Sequence, residues 1–291
     1  MSPAEFIAAL ERASTRCTTP LVESLVTPLV TPLGDGHMVW RCWGEGPPLV
    51  LLHGGTGSWM HWIRNVEALS RDMRVVVPDL PGSGESASPQ PPFSAESIAA
   101  IVLQGLDQII GAQTHFSIAG FSMGGLIAGY LAQQGGSRVD ALVLVGSTGM
   151  GGTRTPMQPL KSWRRRPTDE EKRAIHRVNL GILMIHDPHN IDALAVEVQS
   201  RNAAVSRIRG KHVSHTGSLA NCLPGFTGRL AGIWGEHDPT AAPYLAERRE
   251  RLQSFKPGAP FDIVAGAGHW VQYEAYETVN RRMGELLKGE A

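Results

Sequence analysis

Short runs of Val, Leu and Ile recur between positions 37 and 264, separated by longer amphipathic stretches, and no other feature constrains the fold so tightly. The runs are 37–43, 49–52, 74–77, 115–119, 139–145, 230–234 and 261–264. Several are continuously apolar rather than alternating, which is the pattern of strands covered on both faces. Helical patterns lie between them at 59–70, 94–110, 123–134, 243–254 and 271–288. Strands alternating with helices predict an α/β protein with a mostly parallel, doubly wound sheet.

The alternation stops between Gly149 and Pro224, where the chain is polar, Pro-containing and helical in pattern. Thr168 followed by Glu171 reads as a capping box, and Asp187-Pro188 precedes a second helical stretch with Ile191, Leu194, Ala195 and Val198. We therefore expect residues 150–224 to form a helical cap inserted between two strands, with 37–149 and 225–291 as the core. Residues 1–36 read as an N-terminal lead-in: a helix from Pro3 to Ala13, then Thr/Pro-rich chain. At 291 residues, one large domain with an insertion accommodates all of this.

Composition narrows the function classes. Hydrophobic residues make up 42% and charged residues 19%, which excludes disorder for the bulk of the chain. Basic and acidic residues balance at 27 each, so there is no broad basic field for nucleic acid. That neutrality permits self-association, and a homo-oligomer stays open. Apolar runs such as 98–103 fall far short of the roughly 20 residues that cross a bilayer. No basic n-region precedes a continuous apolar segment, so a cytoplasmic protein without membrane partners is expected. Cys17, Cys42 and Cys222 are widely spaced and fit reduced thiols.

Gly120-Phe121-Ser122-Met123-Gly124 follows the apolar run 115–119 and opens a helix. This is the G-x-S-x-G pattern in its strand–turn–helix setting. A serine hydroxyl is a weak nucleophile and needs a base, and the base needs a partner that fixes its tautomer. His269, in Gly266-Ala267-Gly268-His269-Trp270 after the last strand, is the expected base. Asp238, in Glu236-His237-Asp238-Pro239 after the preceding strand, is the expected third member, with Glu236 as the alternative acid. The loop His53-Gly54-Gly55-Thr56-Gly57 follows another strand and can bring backbone N–H groups to an oxyanion, with Met123 N–H as the other donor. No phosphate-loop pattern occurs.

With the Asp79-Leu80-Pro81-Gly82-Ser83-Gly84-Glu85-Ser86 turn added, the chain resembles the α/β-hydrolase superfamily from about residue 37 onward. That resemblance implies Gly55 as the first oxyanion donor and a structural role for the Asp79 turn. Within the superfamily, Ser122-Met123-Gly124-Gly125, Gly268-His269-Trp270-x-Gln272-x-Glu274 and the stretch 185–194 look most like the meta-cleavage product hydrolases, which split carbon–carbon bonds in dienoic keto-acids. The polar substrate-binding residues of those enzymes do not carry over. Phe121 stands where they have an asparagine before the nucleophile, and His61 where they have one near the oxyanion loop. Val198 aligns with their carboxylate-binding arginine, with Arg201 close by. Together with Trp270 these are the expected substrate-binding positions.

A charged dienoate without its partners is costly in a dry pocket. Hydrolysis of a small-molecule carboxylic ester or lactone needs only the nucleophile, base and oxyanion hole, and is the expected activity. Carbon–carbon hydrolysis is the alternative, followed by a ligand receptor that keeps the scaffold without turnover. Halide and epoxide chemistry, which uses an aspartate nucleophile in this fold, is disfavoured by Ser122. No cofactor or metal is expected: the spacings His186/His189 and His212/His215 lack a regularly placed acidic or Cys partner. Arg164-Arg165-Arg166 reads as a solvated face, and Trp59, Trp62 and Trp163 as packing residues.

Overall fold

The computed structural model describes residues 1–20, 36–154, 156–208 and 210–289. The lead-in therefore lies partly outside the described residues, at 21–35. One eight-stranded sheet runs in the order β1-β2-β4-β3-β5-β6-β7-β8. Its strands are β1 (Thr15–Pro20), β2 (His37–Trp43), β3 (Pro48–Leu52), β4 (Arg74–Pro78), β5 (Phe116–Phe121), β6 (Val139–Val145), β7 (Arg229–Gly235) and β8 (Phe261–Val264). β1 pairs antiparallel with β2, and β2 with β4; the remaining pairs are parallel.

The helices are α1 (Pro3–Ala13), α2 (Val66–Leu69), α3 (Ala95–Ile110), α4 (Met123–Gly135), α5 (Asp169–Leu183), α6 (Ala193–Val205), α7 (Gly210–Ser214), α8 (Leu245–Phe255), α9 (Val271–Glu274) and α10 (Tyr276–Lys288). The continuously apolar strands feed two cores, because successive side chains point to opposite faces. Val50, Leu52 and Val76 join one core with α3, α4 and α8. Leu49, Leu51, Val75 and Val77 join the other with α1, α2 and α10. In α10, Val279, Met283, Leu286 and Leu287 are buried, each worth about 1.5–3 kcal/mol if removed fully from water.

Between β6 and β7 the chain leaves the sheet for α5, α6 and α7. Thr168 caps α5 in a capping box with Glu171. The second helix starts later than expected: α6 is capped by Asp192, whose carboxylate accepts Ala195 N–H at 2.8 Å, and Ile191 lies before it. The 59–70 stretch is not one helix but a 3-10 turn, Trp59–Trp62, followed by α2. Asn65 between them is buried, and its amide donates to Gln272 O and Asn280 Oδ1, so tertiary partners break the helix. Likewise 271–288 is interrupted at Ala275, where φ is −120° and ψ 45°. The lead-in supplies an edge strand, β1, that its Thr/Pro composition did not suggest. Among the described residues no helix is long and apolar enough to cross a membrane.

Candidate active site

Strands β3 and β5 are neighbours at the point where the sheet order reverses, with β4 on one side and β6 on the other. Ligand sites of open α/β sheets lie at the C-terminal ends of such strands. Here β3 runs into the 53–57 loop and β5 into Ser122.

Ser122 has φ 53° and ψ −118°, a strained conformation for a residue with a Cβ. Its neighbours explain how the turn closes. A Cβ on Gly120 would stand 2.5 Å from Gly124 O, and one on Gly124 would stand 2.4 Å from His53 O. Only glycine lets α4 approach β3 and β5 this closely. Ser122 N–H is tied to Val145 O at 2.9 Å, whereas Met123 N–H, in the first turn of α4, has no intrahelical acceptor.

His269 lies in the loop after β8, and Asp238 in the turn after β7. His269 Nε2 is 3.0 Å from Ser122 Oγ, and His269 Nδ1 is 2.8 Å from Asp238 Oδ2. The carboxylate can only accept, so it places the ring proton on Nδ1 and leaves Nε2 to accept from the hydroxyl. Asp238 is fully buried, and its Oδ1 accepts Thr240 N–H at 2.8 Å. Glu236 instead accepts Gly266 N–H at 3.0 Å and stays exposed, away from the imidazole. Gly146, at φ 50°, makes room for the ring: a Cβ there would lie 3.2 Å from His269 Nδ1.

The 53–57 loop is held by two buried histidines. His53 Nε2 accepts Leu80 N–H at 2.9 Å, so its Nδ1 donates to Gly54 O at 2.8 Å. His61 Nδ1 accepts Gly54 N–H at 3.2 Å. Gly54 N–H is thereby used, and Gly55 N–H has no acceptor among the described residues. Burial lowers the pKa of both rings. For His61 the nearby His53 and His269 push further in the same direction, well below the ordinary histidine range.

The expected substrate-binding residues divide in two. Phe121 lies between two rings, 5.0 Å from that of His269 and 5.4 Å from that of His61. Trp270 and Val198 are fully buried packing residues. Trp270 stacks on Tyr273 at 4.2 Å, and its indole N–H donates to His61 O at 2.9 Å. Arg201 pairs with Glu197 at 2.8 Å and lines an outer cleft with Arg41 and Glu85. His186 stacks on His237 at 3.8 Å, and Trp163 packs against His176 at 5.1 Å. Arg164, Arg165 and Arg166 are exposed. Sequence reasoning missed Ser58 and Asn202, whose side chains meet at 2.7 Å between the loop and α6, because neither residue belongs to a motif.

A family described as the alpha/beta hydrolase fold matches residues 47–170. A 2-hydroxy-6-oxononadienedioate/2-hydroxy-6-oxononatrienedioate hydrolase of Paraburkholderia phymatum is 28% identical over 82% of this chain and 86% of its own. A pimeloyl-[acyl-carrier protein] methyl ester esterase of Vibrio campbellii is 38% identical, over 38% of this chain and 41% of its own. The more identical curated relatives, by contrast, are matched over only 28% to 41% of their own lengths. A thermophilic esterase from Thermogutta terrifontis superposes with a TM-score of 0.69 at 22% identity, covering 94% of this chain and 98% of that one.

Proposed function

Because the chain has the α/β-hydrolase fold, we propose that it is a serine hydrolase that cleaves a carboxylic ester or lactone of a small organic molecule through an acyl-enzyme. The observation that carries this reading is the hydrogen-bonded line from Ser122 through His269 to Asp238 at the end of β5.

His269 Nε2 takes the Ser122 proton as Oγ attacks the carbonyl carbon, and Asp238 stabilises the imidazolium. Gly55 and Met123 N–H groups hold the oxyanion, each such donor being worth about 2.7–4 kcal/mol of barrier. The carbon–oxygen bond then breaks, and the leaving alkoxide takes the proton from His269. In a lactone that hydroxyl stays tethered to the acyl group. Water, deprotonated by His269, attacks the acyl carbon, and Ser122 Oγ regains its proton as it departs.

In this reading Phe121 forms an apolar wall of the substrate site, with the His61 ring 5.4 Å from it, Trp270 5.3 Å behind His61 and buried Val198 among the lining residues. We read the helices between β6 and β7 as the cap that closes this site. A neutral substrate fits better than a dienoate: Val198 is apolar, and the nearby Arg201 is engaged by Glu197.

The test is intact mass after exposure to a serine-reactive phosphonate, with turnover of an ester and lactone panel. One adduct on wild type and none on Ser122→Ala, with turnover falling by at least about 10³-fold in the variant, is expected. Unchanged turnover in Ser122→Ala overturns the reading. Dienoic keto-acids turned over far faster than every ester would move the assignment to carbon–carbon hydrolysis.

A further inference from the structure

Glu274, in α9, stands where the His269 loop meets the segment that follows α5. Its Oε2 accepts N–H groups from Gly268 at 2.7 Å and His186 at 3.0 Å, and its Oε1 accepts Asp187 N–H at 2.7 Å. On the other side of His269, Trp270 N–H donates directly to Met184 O at 2.7 Å. Both neighbours of the imidazole are therefore anchored to residues 184–187, one through Glu274 and one by backbone alone. The approach is close enough that a Cβ on Gly268 would stand 2.8 Å from His186 N and 3.0 Å from Met184 O.

We propose that Glu274 is a positioning residue: it couples docking of the 184–187 segment to the placement of His269 over Ser122. The inference rests on the serine-hydrolase reading above. Hydrogen bonds to a carboxylate are stronger and shorter than neutral ones, and three of them converge here from two separate chain segments. With the carboxylate gone, Gly268 loses its acceptor, and the Trp270 bond and the His186–His237 stack are left to hold the 184–187 segment against the loop. The ring then samples positions from which Nε2 no longer meets Ser122 Oγ. Glu274 does not reach the reacting atoms, so substrate binding is spared while the proton transfer suffers.

The experiment compares wild type, Glu274→Gln and Glu274→Ala by kcat and KM on an ester that wild type hydrolyses, by phosphonate labelling rate, and by amide hydrogen exchange at Gly268, His186 and Asp187. Displacing a reacting group by about 1 Å costs up to about 100-fold. Glu274→Ala is accordingly expected to lose about 10- to 100-fold in kcat and labelling rate, with KM within about twofold. Glu274→Gln keeps one acceptor oxygen for Gly268 and His186 but turns an amide toward Asp187 N–H. It is expected to be intermediate, with faster exchange at all three amides. A folded Glu274→Gln with wild-type kcat and unchanged exchange overturns the inference, and this variant decides the matter should Glu274→Ala not fold. Wild type that neither labels nor turns over ester would instead refute the serine-hydrolase reading. The exchange data would still show whether Glu274 joins the two segments.

Discussion

His53 and His61 can hold the 53–57 loop only as neutral rings. Each spends one ring nitrogen as an acceptor, for Leu80 N–H and Gly54 N–H respectively, and a protonated imidazole has no acceptor to offer. Burial lowers both pKa values below the ordinary value near 6.5, so as pH falls the unfolded chain takes up these protons before the folded one does. The stabilisation is complete above about pH 6.5 and is lost below it, at up to about 1.4 kcal/mol per pH unit for each ring. Urea unfolding at pH 7.5, 6.5 and 5.5 should show the midpoint falling across the lower interval. In His61→Gln, whose side-chain oxygen can still accept from Gly54, the fall should be shallower. An identical slope in that variant would assign the acid sensitivity to other groups.

The turn between β5 and α4 works because its flanking residues have no side chain. In Gly124→Ala the new methyl would meet His53 O and Leu52 O at 2.4 and 2.5 Å, both backbone atoms of β3 and the loop after it. Neither can step aside without moving the strand. Overpacking of this kind costs about 1–3 kcal/mol. Gly124→Ala should lose stability in that range by urea unfolding, and it should lose turnover out of proportion to stability because Met123 N–H shifts with the helix. Thr168→Ala, at the capping box of α5, should cost about 1 kcal/mol while leaving kcat unchanged. Elements such as these were legible in the sequence because their signal is local: a run of apolar residues, a Gly-x-Ser-x-Gly, a Thr three residues before a Glu. What escaped depends on contacts made across the fold. The 59–70 stretch has a helical pattern, yet Asn65 turns inward to Gln272 and Asn280, more than two hundred residues away. Thr15–Pro20 sits in a Pro-rich stretch without an apolar run and becomes β1 by pairing antiparallel with β2. In the site, Ser122, His269 and Asp238 could be picked out by their places after strands. His61 and Glu274 stand out only by resemblance, and nothing local in the sequence points to their bonds with backbone amides.

At the scale of the whole molecule, the inserted helices are joined to the core through polar contacts that differ in what they touch. Glu274 reaches the His269 loop, whereas Asp192 at the start of α6 reaches Arg64 and Tyr273. Its Oδ2 pairs with Arg64 at 2.5 Å, and its Oδ1 accepts from Tyr273 O–H at 2.5 Å and from Ala195 N–H at 2.8 Å. Arg64 in turn lies 4.0 Å over the Tyr273 ring, so one carboxylate organises a cation, an aromatic ring and a helix cap. The Asp192 side chain is 38% exposed, which leaves the Arg64 pair screened and worth under about 1 kcal/mol. Removing the carboxylate also removes the helix cap, at about 1 kcal/mol, and leaves the Tyr273 hydroxyl without its acceptor in a nearly buried site, at about 1–3 kcal/mol. Asp192→Ala should therefore lower stability by about 2–4 kcal/mol, and Asp192→Asn, which keeps an acceptor and a competent cap, by less than half of that. Since neither Arg64 nor Tyr273 contacts Ser122 or His269, loosening α6 should raise KM and speed hydrogen exchange in α6 while kcat changes little. A fall in kcat at constant KM would instead mean that α6 acts on the proton-transfer geometry, and that the inserted helices serve His269 as a unit rather than through separate contacts.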